Sequence, residues 1–170
     1  MASITSPSGG LLPLRAPMSP DLIQPLTTCR IRSLSEENGT SSRLAQMGIL
    51  PGVKMQIVRT GPFGGAVEVA LDHGDLVALR SEEIEGMDCD IIAMPLTSVA
   101  VTKGTYRIVS LAGRNGFRRR MEELGLTEDA RIEVLATSPA VLVRVAGEPV
   151  RLGRGEADKI VVEEASDGRP

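Results

Sequence analysis

The chain repeats itself, and the repeat limits what it can fold into more than any other feature. Displaced by 77 residues, positions 29–58 fall on 106–135 without a gap. The identities are Arg30 with Arg107, Ile31 with Ile108, Ser33 with Ser110 and Leu34 with Leu111. They continue through Asn38 and Asn115, Gly39 and Gly116, Arg43 and Arg120, and Gly48 and Gly125. Beyond that stretch the displacement becomes 73, pairing Gly74, Val77, Leu79 and Glu83 with Gly147, Val150, Leu152 and Glu156. The four-residue difference is assigned to TGPFGGA, residues 60–66, against TSPA, residues 137–140. A Gly/Pro stretch between strands is where folds absorb changes of length. The chain therefore reads as two copies of one domain.

Within each copy, apolar residues recur at spacing two, the mark of half-buried strands. Copy two has Ile132 and Val134, then Val141, Val143 and Val145, then Val150 and Leu152. Copy one has Met55 and Ile57, then Val67, Val69 and Leu71, then Val77 and Leu79. Before each set lies a short helical pattern. Phe117, Met121 and Leu124 fall on one helix face, as do Leu44 and Met47 in copy one. Asn115 is expected to cap the helix start and Gly125 its end, with Gly48 as the counterpart of Gly125. Pro51-Gly52 then suits a type II turn into the next strand, whereas Glu128-Asp129 in copy two suggests a different turn. About five short strands and tight turns in each copy predict a mainly β chain. It is read as two small SH3-like β-barrels in tandem, each with one short helix between its first two strands.

Composition excludes several classes. The aromatic set is Phe63, Tyr106 and Phe117, so the core must be aliphatic and a polyproline groove cannot be built twice. A net charge of -3 argues against nucleic acid as a partner. Residues 25–91 carry 6 Lys/Arg against 10 Asp/Glu, and residues 95–165 carry 11 against 10, too small a contrast to assign partners. Two cysteines, Cys29 and Cys89, fit a reducing compartment, with a single disulfide as the alternative. No apolar run approaches the ~20 residues that span a bilayer, so the chain is not expected to insert in a membrane. Residues 1–21, rich in Pro, Ser and Gly, read as a disordered tail. The expected domains are 22–92 and 94–165, with 166–170 a second tail.

The string RLAQMGILPG at 43–52, echoed as RMEELGLTED at 120–129, resembles the signature of the FeoA family. The lead-in PLTSVAVTKGTYRIVSL at 95–111 resembles its opening strand. Leu79, Arg80, Glu82, Glu83 and Ile84 resemble its closing pattern, which copy two departs from at Gly153. Most members carry one copy, so the tandem is itself a departure. The resemblance implies an SH3-like fold and a non-enzymatic accessory or regulatory role in bacterial ferrous iron uptake. The implied partner is the cytoplasmic domain of a FeoB-type transporter, with a cytoplasmic location and no catalytic residues or cofactor. The alternative is a metal-sensing or metal-binding module akin to the SH3-like end domain of iron-dependent repressors. Such a module normally accompanies a helix-turn-helix, and no such pattern precedes residue 25.

Candidate partner-contact residues are Phe63, Arg118 and Arg119. Phe63 sits in GPFGG, the loop copy two lacks, where an aromatic either folds back or meets a partner. Arg118 and Arg119, with Arg120, form the densest positive charge. Glu122 and Glu123 follow at helical spacing and are expected to pair with Arg118 and Arg119, making a solvated face the plainest reading. Gly48, Pro51, Gly52 and Gly125 are read as structural. His73, between Asp72 and Asp75, reads as a hairpin turn rather than a catalytic base. The cysteines show no CxxC spacing and do not recur in copy two, so they read as core residues. A weak carboxylate site for a ferrous ion stays open at this level.

Overall fold

The computed structural model describes residues 14–36, 39–99 and 104–165. The chain enters the sheet at β1 (Leu14–Pro17). Alternating burial then sets four of the five strands that follow in the first half. In β2 (Thr28–Ser33) Cys29 and Ile31 point inward while Arg30 and Arg32 are exposed. The same alternation runs through β3 (Lys54–Thr60), β4 (Ala66–Leu71) and β5 (Leu76–Arg80). The half closes with β6 (Asp88–Pro95), which is buried on both faces. The second half repeats the order as β7 (Gly104–Leu111), β8 (Arg131–Ala136), β9 (Val141–Val145), β10 (Glu148–Leu152) and β11 (Ile160–Glu164).

All pairings are antiparallel, and the strand order is β10-β9-β8-β7-β11-β6-β2-β3-β4-β5. The mainly β, SH3-like tandem expected from the sequence is present, but the barrels do not close. Each half would close only if its fourth strand found a second partner. Instead β5 and β10 end the sheet, while β6 and β11 pair with each other through Val161↔Pro95 and Val162↔Met94. β6 therefore runs through the position where the sequence suggested a domain boundary, and the buried residues of both halves form one cluster. The Thr97 hydroxyl, in a 3-10 turn at Leu96–Ser98, donates to Asp158 of the second half at 2.6 Å.

The expected tail is corrected at its end. Residues 1–13 and 166–170 lie outside the described residues, but 14–17 form β1 against β6, with Leu14↔Ile91 and Pro17↔Asp88. The reason is an open edge. β11 covers only the C-terminal end of β6, and β1 takes the backbone groups left at its start.

Each half holds the expected helix between its first two strands: α1 (Thr40–Gln46) and, with α2 (Ser81–Glu85) intervening, α3 (Asn115–Glu123). Asn115 proves to be the first helical residue, with Arg114 at the cap, a shift of one position. Each half also has a second helical turn that the sequence did not announce, α2 and its equivalent α4 (Arg154–Ala157). So short a turn shows no period of 3.6. It is set by a glutamate reaching back over the turn. Glu83 Oε2 accepts the Arg80 N–H at 2.9 Å, and Glu156 Oε2 accepts the Gly153 N–H at 3.0 Å.

Candidate functional site

The residues repeated in both copies are scaffold. Gly48 and Gly125 end α1 and α3 with φ of 84° and 79°, a conformation that costs other residues ~1–2 kcal/mol. Leu50-Pro51-Gly52-Val53 forms the expected type II turn, with Gly52 at φ 94° and the Val53 N–H on the Leu50 carbonyl at 3.1 Å. The second half was expected to differ there and does not. Asp129 adopts φ 69° in place of Gly52, and the Ala130 N–H meets the Thr127 carbonyl at the same 3.1 Å. Asp tolerates the left-handed region, and here its carboxylate also pairs with Arg107 at 2.6 Å.

The length difference between the halves divides in two. Ile57↔Val69 and Val134↔Val143 place three of the four residues in the β3–β4 loop. The fourth lies in the next hairpin. There Asp72-His73-Gly74 makes a three-residue turn where Ala146-Gly147 makes a two-residue one.

The three arginines of α3 have three different surroundings. Arg120 Nε meets Glu156 Oε1 at 3.1 Å, and its equivalent Arg43 meets Glu83 Oε1 at 3.1 Å. This pair, present twice, ties the first helix of each half to the second. Arg118 turns back to the segment before its helix, donating to the Leu111 carbonyl at 2.9 Å and the Gly113 carbonyl at 3.3 Å. Arg119 has no hydrogen bond or ion pair among the described residues and is exposed. The expected pairing of Arg118 and Arg119 with Glu122 and Glu123 along the helix does not form, because Arg118 finds fixed carbonyls and a longer contact to Glu128 at 3.9 Å. Arg118 is thus largely occupied, and Arg119 is the free cation of the cluster.

Phe63 stands fully exposed at 106%, at φ 60° in a 3-10 turn at Pro62–Gly64. The Ser81 hydroxyl donates to the Gly64 carbonyl and holds the loop against the start of α2. The ring is offered to solvent rather than folded back. Phe63 and Arg119 belong to different halves. His73 lies between Asp72 at 3.5 Å and Asp75 at 3.2 Å, and its ring covers Gly48, whose Cβ would sit 3.3 Å away.

Both cysteines are buried, in adjacent strands. The Cys29 thiol is pushed well up, first by its hydrogen bond with Cys89, then by burial, with the charge of Asp90 adding to both. A thiol held protonated is a poor nucleophile. Among the described residues no group of three or more His, Cys, Asp or Glu is placed to hold a metal ion, and no helix is long and apolar enough to cross a membrane.

These features define a class: a duplicated SH3-like β module whose repeated turns and helix ties are structural, with exposed candidate residues that differ between the halves. The chain belongs to the FeoA domain family, whose profile matches residues 21–87 and 94–164. Its fold is similar to the solution structure of iron(II) transport protein A from Clostridium thermocellum. That match has 28% identity over 90% of this chain and 92% of that one, with a TM-score of 0.54. A FeoA protein from Chlorobium tepidum matches at 26% identity over 45% of this chain and 74% of that one, with a TM-score of 0.40. ScaR with bound Cd2+ matches at 21% identity over 48% of this chain and 40% of that one, with a TM-score of 0.41. Among curated proteins none matches the chain.

Proposed function

We propose that the chain is a non-enzymatic accessory protein of ferrous iron uptake, acting in the cytoplasm by contact with the cytoplasmic domain of a FeoB-type transporter. Membership of the FeoA family carries this reading, supported by the likeness along almost the whole chain to an iron(II) transport protein. Phe63 and Arg119 are the proposed contact residues. An exposed aromatic and an arginine unpaired among the described residues are the residue types that anchor protein interfaces. No resident cofactor is proposed, and iron is the cargo of the partner. The metal-sensing alternative finds no ligand set among the described residues.

The test is ferrous iron accumulation in cells lacking the chain. Restoring the wild type should recover uptake, whereas a Phe63→Ala/Arg119→Glu double variant that folds normally should recover less than about a third, in line with loss of an interface anchor. Full recovery by the double variant would remove these residues from the contact. No difference between cells with and without the chain would remove the role in uptake.

A further inference from the structure

The two halves differ where α2 and α4 face a 3-10 turn. The turn at Pro20–Leu22 is the counterpart of that at Leu96–Ser98, at the displacement of 77. The Leu22 N–H meets the Ser19 carbonyl at 2.9 Å, and the Val99 N–H meets the Leu96 carbonyl at 3.3 Å. In the second half Thr97 ties this turn to Asp158, the residue that follows α4, at 2.6 Å. Their counterparts are Pro20 and, at the displacement of 73, Glu85, the last residue of α2. Proline has no hydroxyl to donate, so the tie has no equivalent in the first half. Glu85 is exposed and has no hydrogen bond or ion pair among the described residues. Pro20 and Glu85 instead line a pocket of about 280 Å³.

We propose that this pocket takes a lysine or arginine side chain from a segment of a protein partner, beside Phe63. Charge and size select that occupant. Pro20, Ile23 and Val67 give the pocket apolar walls, and Glu85 is the one charged residue in its lining. An alkyl stem laid over Ile23 and Val67 with its cation at Glu85 satisfies both parts. Sites for whole small molecules begin at ~300 Å³, so a single side chain suits this one better than a free ligand. Gly61 and Gly64, on either side of Pro62-Phe63, also line the pocket, so the loop that forms its wall carries the exposed ring. Assigning a protein as the source rests on the reading of Phe63 as a contact residue. At the equivalent place in the second half, the carboxylate is already bonded to Thr97.

An NMR titration of the isotope-labelled full chain with the blocked tripeptide acetyl-Leu-Arg-Leu-amide tests the proposal. Saturable shifts of the Ile23, Gly61, Gly64 and Ser81 amides are expected, with a dissociation constant of ~1–10 mM. The same peptide with norleucine for arginine keeps a stem without the cation and should bind about tenfold more weakly, as should the arginine peptide to Glu85→Gln. Pro20→Thr/Glu85→Asp, which rebuilds the tie of the second half, should abolish the shifts. Free L-arginine should bind more weakly than the peptide, and Phe63→Ala should weaken the peptide alone. Absence of saturable shifts at these amides overturns the proposal, as does indifference to norleucine or to Glu85→Gln. Free arginine binding as tightly as the peptide overturns the protein source. No transporter enters this measurement, so its outcome is separate from that of the role in iron uptake.

Discussion

Replacing Glu83 by alanine is expected to lower the unfolding free energy by about 3 kcal/mol, read by urea denaturation. The carboxylate is only 9% exposed and serves two elements at once. One oxygen accepts the Arg80 N–H that begins α2, and the other holds Arg43 of α1 at 3.1 Å. Alanine strands a partly buried guanidinium and an N–H in one change. Glu156→Ala should cost less, about 1–2 kcal/mol, because Glu156 is 24% exposed and solvent screens its bond to Arg120. Equal costs at the two positions, or a cost below about 1 kcal/mol at Glu83, would show that the pair is not the tie described.

Met121→Ala should cost a further large amount, about 3 kcal/mol, in the same measurement. Met121 is fully buried at 0% and anchors α3 in the core, between the partly buried Phe117 and Leu124. Its neighbours on the helix supply the contrast. Arg119→Ala should change stability by less than about 0.5 kcal/mol, having no partner among the described residues to lose. Arg118→Ala should cost about 1 kcal/mol for its two carbonyl bonds. If Arg119→Ala proved as costly as Arg118→Ala, the division of labour among the three arginines would be wrong.

The sequence made the duplication, the strands and both glycine stops legible, because each rests on a local rule. Alternation buries Val67, Val69 and Leu71, and a left-handed turn selects Gly48, Gly52 and Gly125. What depends on pairing over distance stayed hidden. Arg43 with Arg120, and Glu83 with Glu156, stood out as separate coincidences in the alignment of the halves. Their recurrence at matched positions was the signal that they touch. Asp129 concealed the second type II turn, because aspartate can take the glycine's place only when its backbone is held there. The open sheet was equally invisible. Whether five short strands close on themselves depends on which edges find partners, and β6, beside β2 of its own half on one edge, meets β1 and β11 on the other while β5 keeps a single partner. At the candidate site, composition pointed to Phe63 and the arginine cluster. Only the geometry separates Arg119, which is free, from Arg118, which is engaged.

The most direct test of the account is a calorimetric titration of the full chain into the cytoplasmic domain of the FeoB-type transporter from the same cell. Saturable binding is expected, weakened about tenfold or more by Phe63→Ala, while a Phe117→Leu variant, altered at a partly buried ring instead, binds as the wild type does. Absence of any binding heat, together with no co-sedimentation of the two proteins, would contradict it.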